Sequence, residues 1–413
     1  MEPLRQVYRV GGWVRDQLLG LPAPDQDWVV VGETPQTMQA RGFQQVGADF
    51  PVFLHPVTGE AYALARQERK TGPGYLGFAT QAAPTVTLEE DLARRDLTIN
   101  AMAMAADGRL VDPFGGQADL QNRLLRHVSP AFVEDPLRVL RVARFLARFW
   151  DLGFRVAEET LTLLTTLVQA GELQTVAVER IWQETHKALT TPNPLAYFDL
   201  LHQCGALAVL FPELAALEGI AQPVVYHPEG DVWQHTRLVL ARATQLSPQP
   251  AVRWAALLHD LGKADTPVAL LPHHYGHEER SVVRVETVCD RLHIPTAWRT
   301  LALATARYHL QCHRLSEMTP KKVVRLLVAL QAFQGPERME NFLLACQADA
   351  TGRLGMTERP YPQADLLRRC RLACLAIEVA PLVQAGLQGA RIGEAIHRER
   401  LHRVRAVLAA CSG

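Results

Sequence analysis

The stretch that decides the fold is Gly11-Gly12-Trp13-Val14-Arg15-Asp16, followed within ten residues by Asp25-Gln26-Asp27-Trp28-Val29-Val30-Val31. The glycine pair lies between a short apolar run ending at Val10 and a helical pattern carried by Trp13, Val14, Leu18 and Leu19. At such a junction a backbone without Cβ atoms can bring its amides close to a phosphate. Asp25 and Asp27 stand two residues apart at the head of an apolar strand. Side chains at i and i+2 of a strand leave the same face, so both carboxylates can aim at one point and hold hard divalent cations there. Metal and triphosphate would then share one pocket. The glycines form neither the dinucleotide fingerprint nor the Walker pattern, because no Gly-Lys-Ser/Thr follows and the acidic pair comes too early for a ribose clamp.

Composition sets the outer bounds. The chain has 413 residues, 48% of them hydrophobic, enough for two to four compact units of ordinary globular make-up. It contains no run of eighteen apolar residues, and Met1-Glu2-Pro3-Leu4-Arg5 lacks a signal-peptide core, so a cytoplasmic protein without membrane association is expected. Seven cysteines, all from Cys204 onward, make an odd and scattered set that reads as reduced thiols rather than a disulfide framework. The formal net charge is zero, so any attraction for a polyanion must come from local basic surface. Candidates are Arg94-Arg95, Arg123 with Arg126, the series Arg138, Arg141, Arg144 and Arg148, and the tail from Arg391 to Arg405.

Outward from the opening stretch, the first 125 or so residues alternate short apolar runs (Val29–Val31, Val52–Leu54, Tyr62–Ala65, Leu97–Ala105) with Gly, Pro and Asp clusters, the pattern of a small α/β unit. From about Glu134 the pattern changes to long amphipathic stretches separated by proline clusters, which predicts a nearly all-helical remainder. Within the first unit, Lys70-Thr71-Gly72-Pro73-Gly74-Tyr75-Leu76-Gly77-Phe78 reads as a loop able to close on a substrate.

The segment Glu134-Asp135-Pro136-Leu137-Arg138-Val139-Leu140-Arg141-Val142-Ala143-Arg144-Phe145 predicts a helix that starts near Pro136 behind acidic residues. Its arginines recur every three or four residues on one stripe, while Leu140, Ala143, Leu146, Ala147 and Trp150 fall on the opposite, packing side. Asp135 and Arg138, three apart, are expected to be neighbours offering an acceptor beside a donor fork. Cytosine and adenine both present an amino donor next to a ring-nitrogen acceptor, and uracil and guanine reverse that order. Such a pair would take C and A, each good bidentate match being worth about 1–3 kcal/mol. Arg141 and Arg144 remain for the triphosphate.

Five ordered motifs now stand together: Gly11-Gly12-x-Val14-Arg15-Asp16, Asp25-x-Asp27, Arg94-Arg95-Asp96-x-Thr98-Ile99-Asn100-Ala101, Asp112-Pro113-Phe114-Gly115-Gly116 and Glu134-Asp135-x-x-Arg138. Their order resembles that of the class II tRNA nucleotidyltransferases, the CCA-adding enzymes, over essentially the whole chain. The resemblance is nearest to the long bacterial form that carries an HD phosphohydrolase domain. It implies an α+β fold, with a polymerase-β-like nucleotidyltransferase head over residues 1–130 and a helical neck with the nucleotide-recognition helix over 131–225. An HD body over 226–340 and a helical tail over 341–413 would follow. It further implies Gly12, Arg15 and Arg95 as nucleotide contacts, Asp25 and Asp27 as catalytic Mg²⁺ ligands, and Asp135, Arg138, Arg141 and Arg144 as the base-reading and phosphate-binding set. The partners would be tRNA, CTP and ATP: the tRNA 3′-hydroxyl attacks the α-phosphate of CTP twice and of ATP once. Two Mg²⁺ ions suit a transfer that needs positioning and charge neutralisation more than a protein nucleophile. The loop at 70–78 would serve the change from C to A addition. Relatives often carry a further acid on the strand before that loop, where this chain has Ala61, so a third carboxylate is not expected at that position.

The second constellation is His235, the doublet His259-Asp260 followed by Leu261-Gly262-Lys263, then Gly276-His277, and Asp349. Neutral imidazoles with carboxylates suit a divalent transition metal or Mg²⁺. The order H…HD…D resembles the HD superfamily of metal-dependent phosphohydrolases, with His235, His259, Asp260 and Asp349 as ligands. The resemblance implies hydrolysis of 2′,3′-cyclic phosphates, 2′-nucleotides and similar phosphate esters, with nickel as a favoured ion. His277 and His309 are left open as ligands of a second ion, and His309-Leu-Gln-Cys312-His313 reads as an incidental zinc-like spacing. His186, His202, His397 and His402 read as ordinary helix residues.

The expected function is therefore template-independent addition and repair of the tRNA 3′ CCA end, with an accessory phosphohydrolase, in a monomer or homodimer. Two rivals remain. A poly(A) polymerase shares the head motifs, and a non-catalytic RNA-binding or HD regulatory protein would keep the architecture without the chemistry.

Overall fold

The computed structural model describes residues 4, 6–24, 26–46, 52–70 and 78–410, with 67–70 and 78–82 described in their backbone alone. The chain divides into two compact units, residues 1–192 with 196–210, and residues 193–195 with 211–413. This division is coarser than the four segments expected from the sequence.

The first unit begins as α+β. In chain order it holds β1 (Val7–Val10), α1 (Gly12–Leu18), β2 (Asp27–Val30), α2 (Pro35–Ala40), β3 (Gln44–Val46), β4 (Val52–Leu54), β5 (Ala61–Leu64), β6 (Arg66–Lys70), β7 (Phe78–Ala82), α3 (Leu88–Ala93), β8 (Ala103–Ala105), β9 (Leu110–Val111) and α4 (Gly116–Gln121). Seven strands form one mixed sheet in the order β3-β4-β5-β2-β1-β8-β9. β2 lies antiparallel to β1 (Val7↔Val30) and parallel to β5 (Trp28↔Tyr62). The apolar run after Asp27 is continuous rather than alternating because both faces of this strand are covered. Val29 joins a core of Val10, Leu92, Ala101 and Ala103, and Val30 joins Met38, Phe43, Phe53 and Leu64 on the other face. Asp27 is thereby fixed at the strand's N-terminal end, just outside two cores.

The stretch Leu97–Ala105 is not one element. Thr98–Asn100 forms a 3₁₀ turn, because Asp96 accepts from the Leu97 amide and from Asn100 Nδ2, and Thr98 Oγ1 donates to Asp119. β6 and β7 pair as an antiparallel hairpin, Arg66↔Ala82 to Lys70↔Phe78. The loop expected at 70–78 has its residues 71–77 outside the described ones.

Beyond a short parallel pair, β10 (Leu124–Leu125) with β11 (Arg155–Val156), this unit is helical: α5 (Arg138–Phe149), α6 (Glu158–Gln169), α7 (Val178–Leu189), α8 (Leu195–Gln203) and α9 (Ala206–Leu210). Leu140, Ala143, Leu146 and Ala147 of α5 are buried as the periodicity predicts. Trp150 is not: the α-helix ends at Phe149, a 3₁₀ turn follows, and Trp150 is 48% exposed while Phe149 takes the buried place.

The second unit consists of helices: α10 (Pro212–Ala215), α11 (Val232–Leu246), α12 (Pro250–Leu258), α13 (His277–Arg291), α14 (Thr296–His313), α15 (Pro320–Ala329), α16 (Glu337–Thr351), α17 (Pro362–Leu375), α18 (Ala380–Gln384) and α19 (Ala390–Ala409). The punctuating prolines open helices: Pro250, Pro320 and Pro362 stand at first helical positions, where a missing N–H costs nothing. Asp231 caps α11 by accepting from the Gln234 amide, which fixes where His235 enters the first turn. α11, α12, α14 and α16 pack against one another, and α13 against α14. Among the described residues no helix is long and apolar enough to cross a membrane.

Candidate active sites

In the first unit a cleft of about 820 Å³ opens beside the glycine pair, lined by ten basic side chains and four carboxylates. That excess of positive charge in a concave site favours a polyanionic occupant. Gly11 sits at φ 67° as the N-cap of α1, and a Cβ there would come 2.7 Å from Arg95 Nη1. Glycine is therefore required both by the left-handed backbone and by the close approach of Arg95. Gly12 follows as the first residue of α1 and lines the same cleft.

Each arginine is held by an acid or a carbonyl. Arg15 is buried: its Nη1 donates to Asn100 Oδ1 (2.5 Å), its Nε and Nη2 donate to Asp16, and the guanidinium lies 5.1 and 5.0 Å from the rings of Phe145 and Phe149. Burial lowers its pKa, opposed by Asp16. Arg95 reaches the Asn100 carbonyl and Asp91 at 3.4 and 3.3 Å, the loosest of these anchors. Arg141 donates from Nε to Asp96 (2.8 Å), and Arg144 from Nε to Glu184 (2.5 Å). Burial acts to raise the pKa of Asp96, but Arg141 and the hydrogen bonds from Asn100 and Leu97 hold it well below the usual carboxylate range. Phe145, on the arginine side of α5, is buried beneath Arg144 at 4.2 Å and Arg141 at 5.7 Å.

The expected side-by-side pair of Asp135 and Arg138 does not form. Asp135 stands ahead of α5 in extended conformation, where its Oδ1 accepts from the Leu137 amide and its Oδ2 from Arg180 (3.1 Å). Arg138 is buried, and its Nη1 and Nη2 donate to the carbonyls of Ala131 and Arg94. The i,i+3 relation holds only inside a helix, and Asp135 lies in extended backbone before this one, bonded to the Leu137 amide two residues on. Both residues nevertheless line the cleft.

Asp27 is exposed at the start of β2 and lines the cleft, and Asp25 lies outside the described residues. On the neighbouring parallel strand Ala61 precedes Tyr62, the partner of Trp28, so no carboxylate is supplied there. Asp91 lies in an adjoining recess of about 290 Å³ with Asp27 and Ala61. It is buried and already accepts from the Arg66 amide and from Arg94 and Arg95.

In the second unit the four residues singled out in the sequence converge. His235 on α11, His259 at the end of α12, Asp260 just after it and Asp349 on the last turn of α16 are all buried. His235 Nε2 lies 3.1 Å from Asp349 Oδ1, and His259 Nε2 lies 3.0 Å from Asp260 Oδ2 and 3.7 Å from Asp349 Oδ1. Burial works to raise the pKa of both aspartates, yet His259 with Lys263 keeps Asp260, and His259 with His313 keeps Asp349, well below the ordinary range. Both are therefore anionic donors. Gly262 makes the turn possible: a Cβ there would come 2.2 Å from the Ser281 amide and 2.4 Å from the His277 carbonyl, so α13 rests directly on this backbone. The donor set fits a divalent transition ion, two imidazoles and a carboxylate lying within 4.8 Å of one another.

Several contributors were not foreseen. Glu229 Oε1 lies 2.8 Å from His235 Nδ1 and 3.0 Å from His227 Nδ1, and Lys263 Nζ lies 2.6 Å from Asp260 Oδ2. His313 Nε2 lies 2.6 Å from Asp349 Oδ2. The zinc-like spacing at 309–313 is thus not incidental, although it is not one site either. His309 faces Asp260, His313 faces Asp349, and Cys312 Sγ accepts from the Tyr361 hydroxyl. The i,i+4 spacing of His309 and His313 puts them on one helix face but names neither Asp260 nor Asp349 as a partner. In the first unit the acid directly following an arginine is a true pair in Arg15-Asp16 but not in Arg95-Asp96, where Asp96 bonds Arg141 and Arg95 reaches Asp91. His186, His202, His397 and His402 join none of the metal-competent groups among the described residues.

Comparison with known proteins places these sites in context. Residues 7–126 match the model of the poly A polymerase head domain, residues 153–217 that described as a probable RNA and SrmB-binding site of polymerase A, and residues 232–350 that of the HD domain. A multifunctional CCA protein of Thioalkalivibrio sulfidiphilus is 56% identical over 408 residues, covering 99% of this chain and all of its own. One from Pseudomonas aeruginosa is 53% identical over 401 residues, covering 97% and 98%. Among solved structures, the Bacillus stearothermophilus CCA-adding enzyme in complex with CTP matches with a TM-score of 0.59 at 26% identity, covering 98% of this chain and 89% of that one. Full-length identity above one half, with a head model and an HD model matched in order, leaves a single conclusion: the chain belongs to the multifunctional CCA protein family.

Proposed function

We propose that the protein adds and repairs the 3′-terminal CCA of tRNA without a template, using CTP and ATP. The observation that carries this reading is the cationic cleft with Asp27 at its rim, in a chain whose relatives are named for CCA. Asp25 and Asp27 would hold Mg²⁺, which bound there would supply activation of the 3′-hydroxyl and charge neutralisation for the leaving pyrophosphate. Gly12, Arg15, Arg95, Arg141 and Arg144 line the nucleotide's path. Arg15, buried and fully bonded, acts by shaping the floor, whereas Arg95, more loosely anchored, is the readier phosphate contact. Base selection falls to Asp135 and Arg138, and it requires Arg138 to exchange a backbone carbonyl for the edge of C or A.

The HD pocket acts as a metal-dependent phosphohydrolase on 2′,3′-cyclic phosphates, 2′-nucleotides and related esters, with His235, His259, Asp260 and Asp349 holding a divalent ion such as Ni²⁺. What the ion supplies is a water of lowered pKa and charge neutralisation at the phosphate. Glu229 keeps His235 oriented, and Lys263 holds Asp260 in place from 2.6 Å.

The test uses tRNA transcripts ending at the discriminator base, with Mg²⁺, CTP and ATP, followed by sequencing of the product ends. CCA is expected from the wild type and no addition from Asp27→Ala. A product of A residues alone, with CTP ignored, would establish the poly(A) polymerase reading that the head model also allows. Binding of tRNA without incorporation would establish the non-catalytic one.

A further inference from the structure

We infer that Trp13 is the stacking platform for the last base of the RNA that receives the nucleotide. Resting on the addition reading above, this gives the acceptor end a contact of its own. Trp13 stands in the first turn of α1, directly after the glycine pair, and lines the cleft together with Pro22, Ala23, Pro24 and Asp27. Among the described residues one other aromatic ring lines that cleft, Phe145, and it is buried beneath Arg144. Trp13 is partly exposed and is therefore the flat surface that an occupant can reach.

The indole ends a stack that runs across the sheet. Arg9 of β1 stands opposite Trp28 of β2, and Trp28 opposite Tyr62 of β5, so the three side chains leave the same face. The rings of Trp28 and Tyr62 are parallel to within 2° at 5.4 Å, and the Arg9 guanidinium lies 4.7 Å from the ring centre of Trp28 and 4.7 Å from that of Trp13. Arg9 Nε donates to Gln26 Oε1 at 3.0 Å, which fixes the guanidinium. An indole held in this way is already ordered in the free protein, and little freedom is lost when a base covers it.

Two bases must be accommodated in the cleft, and they call for different contacts. The incoming base is C or A and has to be chosen, which takes hydrogen bonds, the part given to Asp135 and Arg138. The terminal base of the acceptor changes at every addition, from the discriminator base to C and then to C again. A hydrogen-bonding contact that selected one of these would stall the others, whereas stacking accepts every base because every base has a π-face. That same terminal nucleotide has to bring its 3′-hydroxyl to Asp27, with which Trp13 shares the cleft lining.

The test measures binding of the full chain, without CTP or ATP, to a tRNA that ends at the discriminator base and carries either a normal or an abasic terminal nucleotide. Wild-type protein is expected to bind the abasic tRNA about tenfold more weakly, the size of one base–aromatic stack. Trp13→Ala should lose the same tenfold on the normal tRNA and nothing more on the abasic one, with its KM for CTP unchanged, and Trp13→Phe should keep most of the affinity. Equal affinity of the wild-type protein for the two tRNAs overturns the assignment with no variant needed, so a Trp13→Ala protein that fails to fold does not shield it. A further tenfold loss on the abasic tRNA in Trp13→Ala also overturns it. So does a raised KM for CTP in that variant with tRNA affinity unchanged, which would set the indole against the incoming nucleotide. Binding needs no chemistry, so a wild-type protein that shows the tenfold difference but adds no nucleotide upholds the stack and overturns the addition reading alone.

Discussion

The cleft of the first unit and the pocket of the second solve opposite problems with much the same residue types. In the cleft, guanidiniums outnumber carboxylates, and nearly every charge already has a protein partner: Arg15 with Asp16, Arg141 with Asp96, Arg144 with Glu184. In the pocket, carboxylates and imidazoles crowd one another in a buried cluster, Asp260 between His259 and His277 and Asp349 between His235 and His313. A site for a large, variable, negatively charged substrate is kept wet and pre-neutralised, so that it is stable when empty. A site for a small fixed cation is kept dry and left electrostatically incomplete, so that the ion completes it.

The largest expected effects test whether the two chemistries are separate. Asp27→Ala should reduce nucleotide addition by about three orders of magnitude, several kcal/mol of transition-state stabilisation at about 1.4 kcal/mol per decade, and leave cyclic-phosphate hydrolysis intact. Asp260→Ala should do the reverse. Both activities are measured on the same preparations, and loss of both in either variant would break the comparison.

Next in size is Glu229. It holds the Nδ1 side of His235 and so directs Nε2 at Asp349. Groups that orient a metal-binding histidine typically contribute about 10–100-fold in metal affinity. Glu229→Ala should weaken Ni²⁺ binding by that factor in a calorimetric titration, Glu229→Gln by less because an amide oxygen still accepts, and neither should alter CCA addition. Unchanged affinity in both variants would mean that the pocket is organised without its outer acceptor.

The cleft's incomplete legibility follows from how its parts meet. The arginine stripe is readable because its repeat is local, as is the doubly covered strand after Asp27. The acids that hold the stripe are not: Arg141 and Asp96 are 45 residues apart and Arg144 and Glu184 are 40 apart, so no periodicity links them. Asp135 was misplaced for a related reason, since an acid just before a helix looks in sequence like one inside it, and only its extended backbone and its bond from the Leu137 amide separate the two. In the second unit the His259-Asp260 doublet announced the buried pocket. Glu229 and His313 did not announce themselves, because a lone acid or histidine becomes part of a site only when helices from distant sequence bring it there. His313, for instance, is 36 residues from Asp349.

Asp96 gives the third prediction, one of stability. Its folded pKa is depressed, so it contributes stability at every pH above its unfolded value, and that contribution is lost as pH falls through the lower folded value. Asp96→Asn should cost about 2–3 kcal/mol at neutral pH, below the ~3–5 kcal/mol of a fully buried broken pair because Arg141 can reach water. In melts of the two proteins the difference should narrow as pH drops below the ordinary carboxylate range. A gap independent of pH would assign the effect to lost hydrogen-bond geometry at Leu97 and Asn100 rather than to charge.

The smallest effect is the sharpest test of redundancy. Arg148 Nη2 donates to Asp16 Oδ2 at 2.9 Å from a side chain 36% exposed, while Asp16 keeps two further bonds from Arg15. Exposed pairs of this kind contribute about 0–1 kcal/mol, and here the acid is not orphaned when one partner leaves. Arg148→Ala should therefore shift the melting temperature little and raise KM for CTP or ATP by less than about fivefold, with kcat unchanged, because a lining cation lost from among ten weakens ground-state and transition-state binding alike. A tenfold or larger loss confined to kcat would place Arg148 on the reacting phosphate, and the cleft would then depend on single residues as strictly as the metal pocket depends on Asp260.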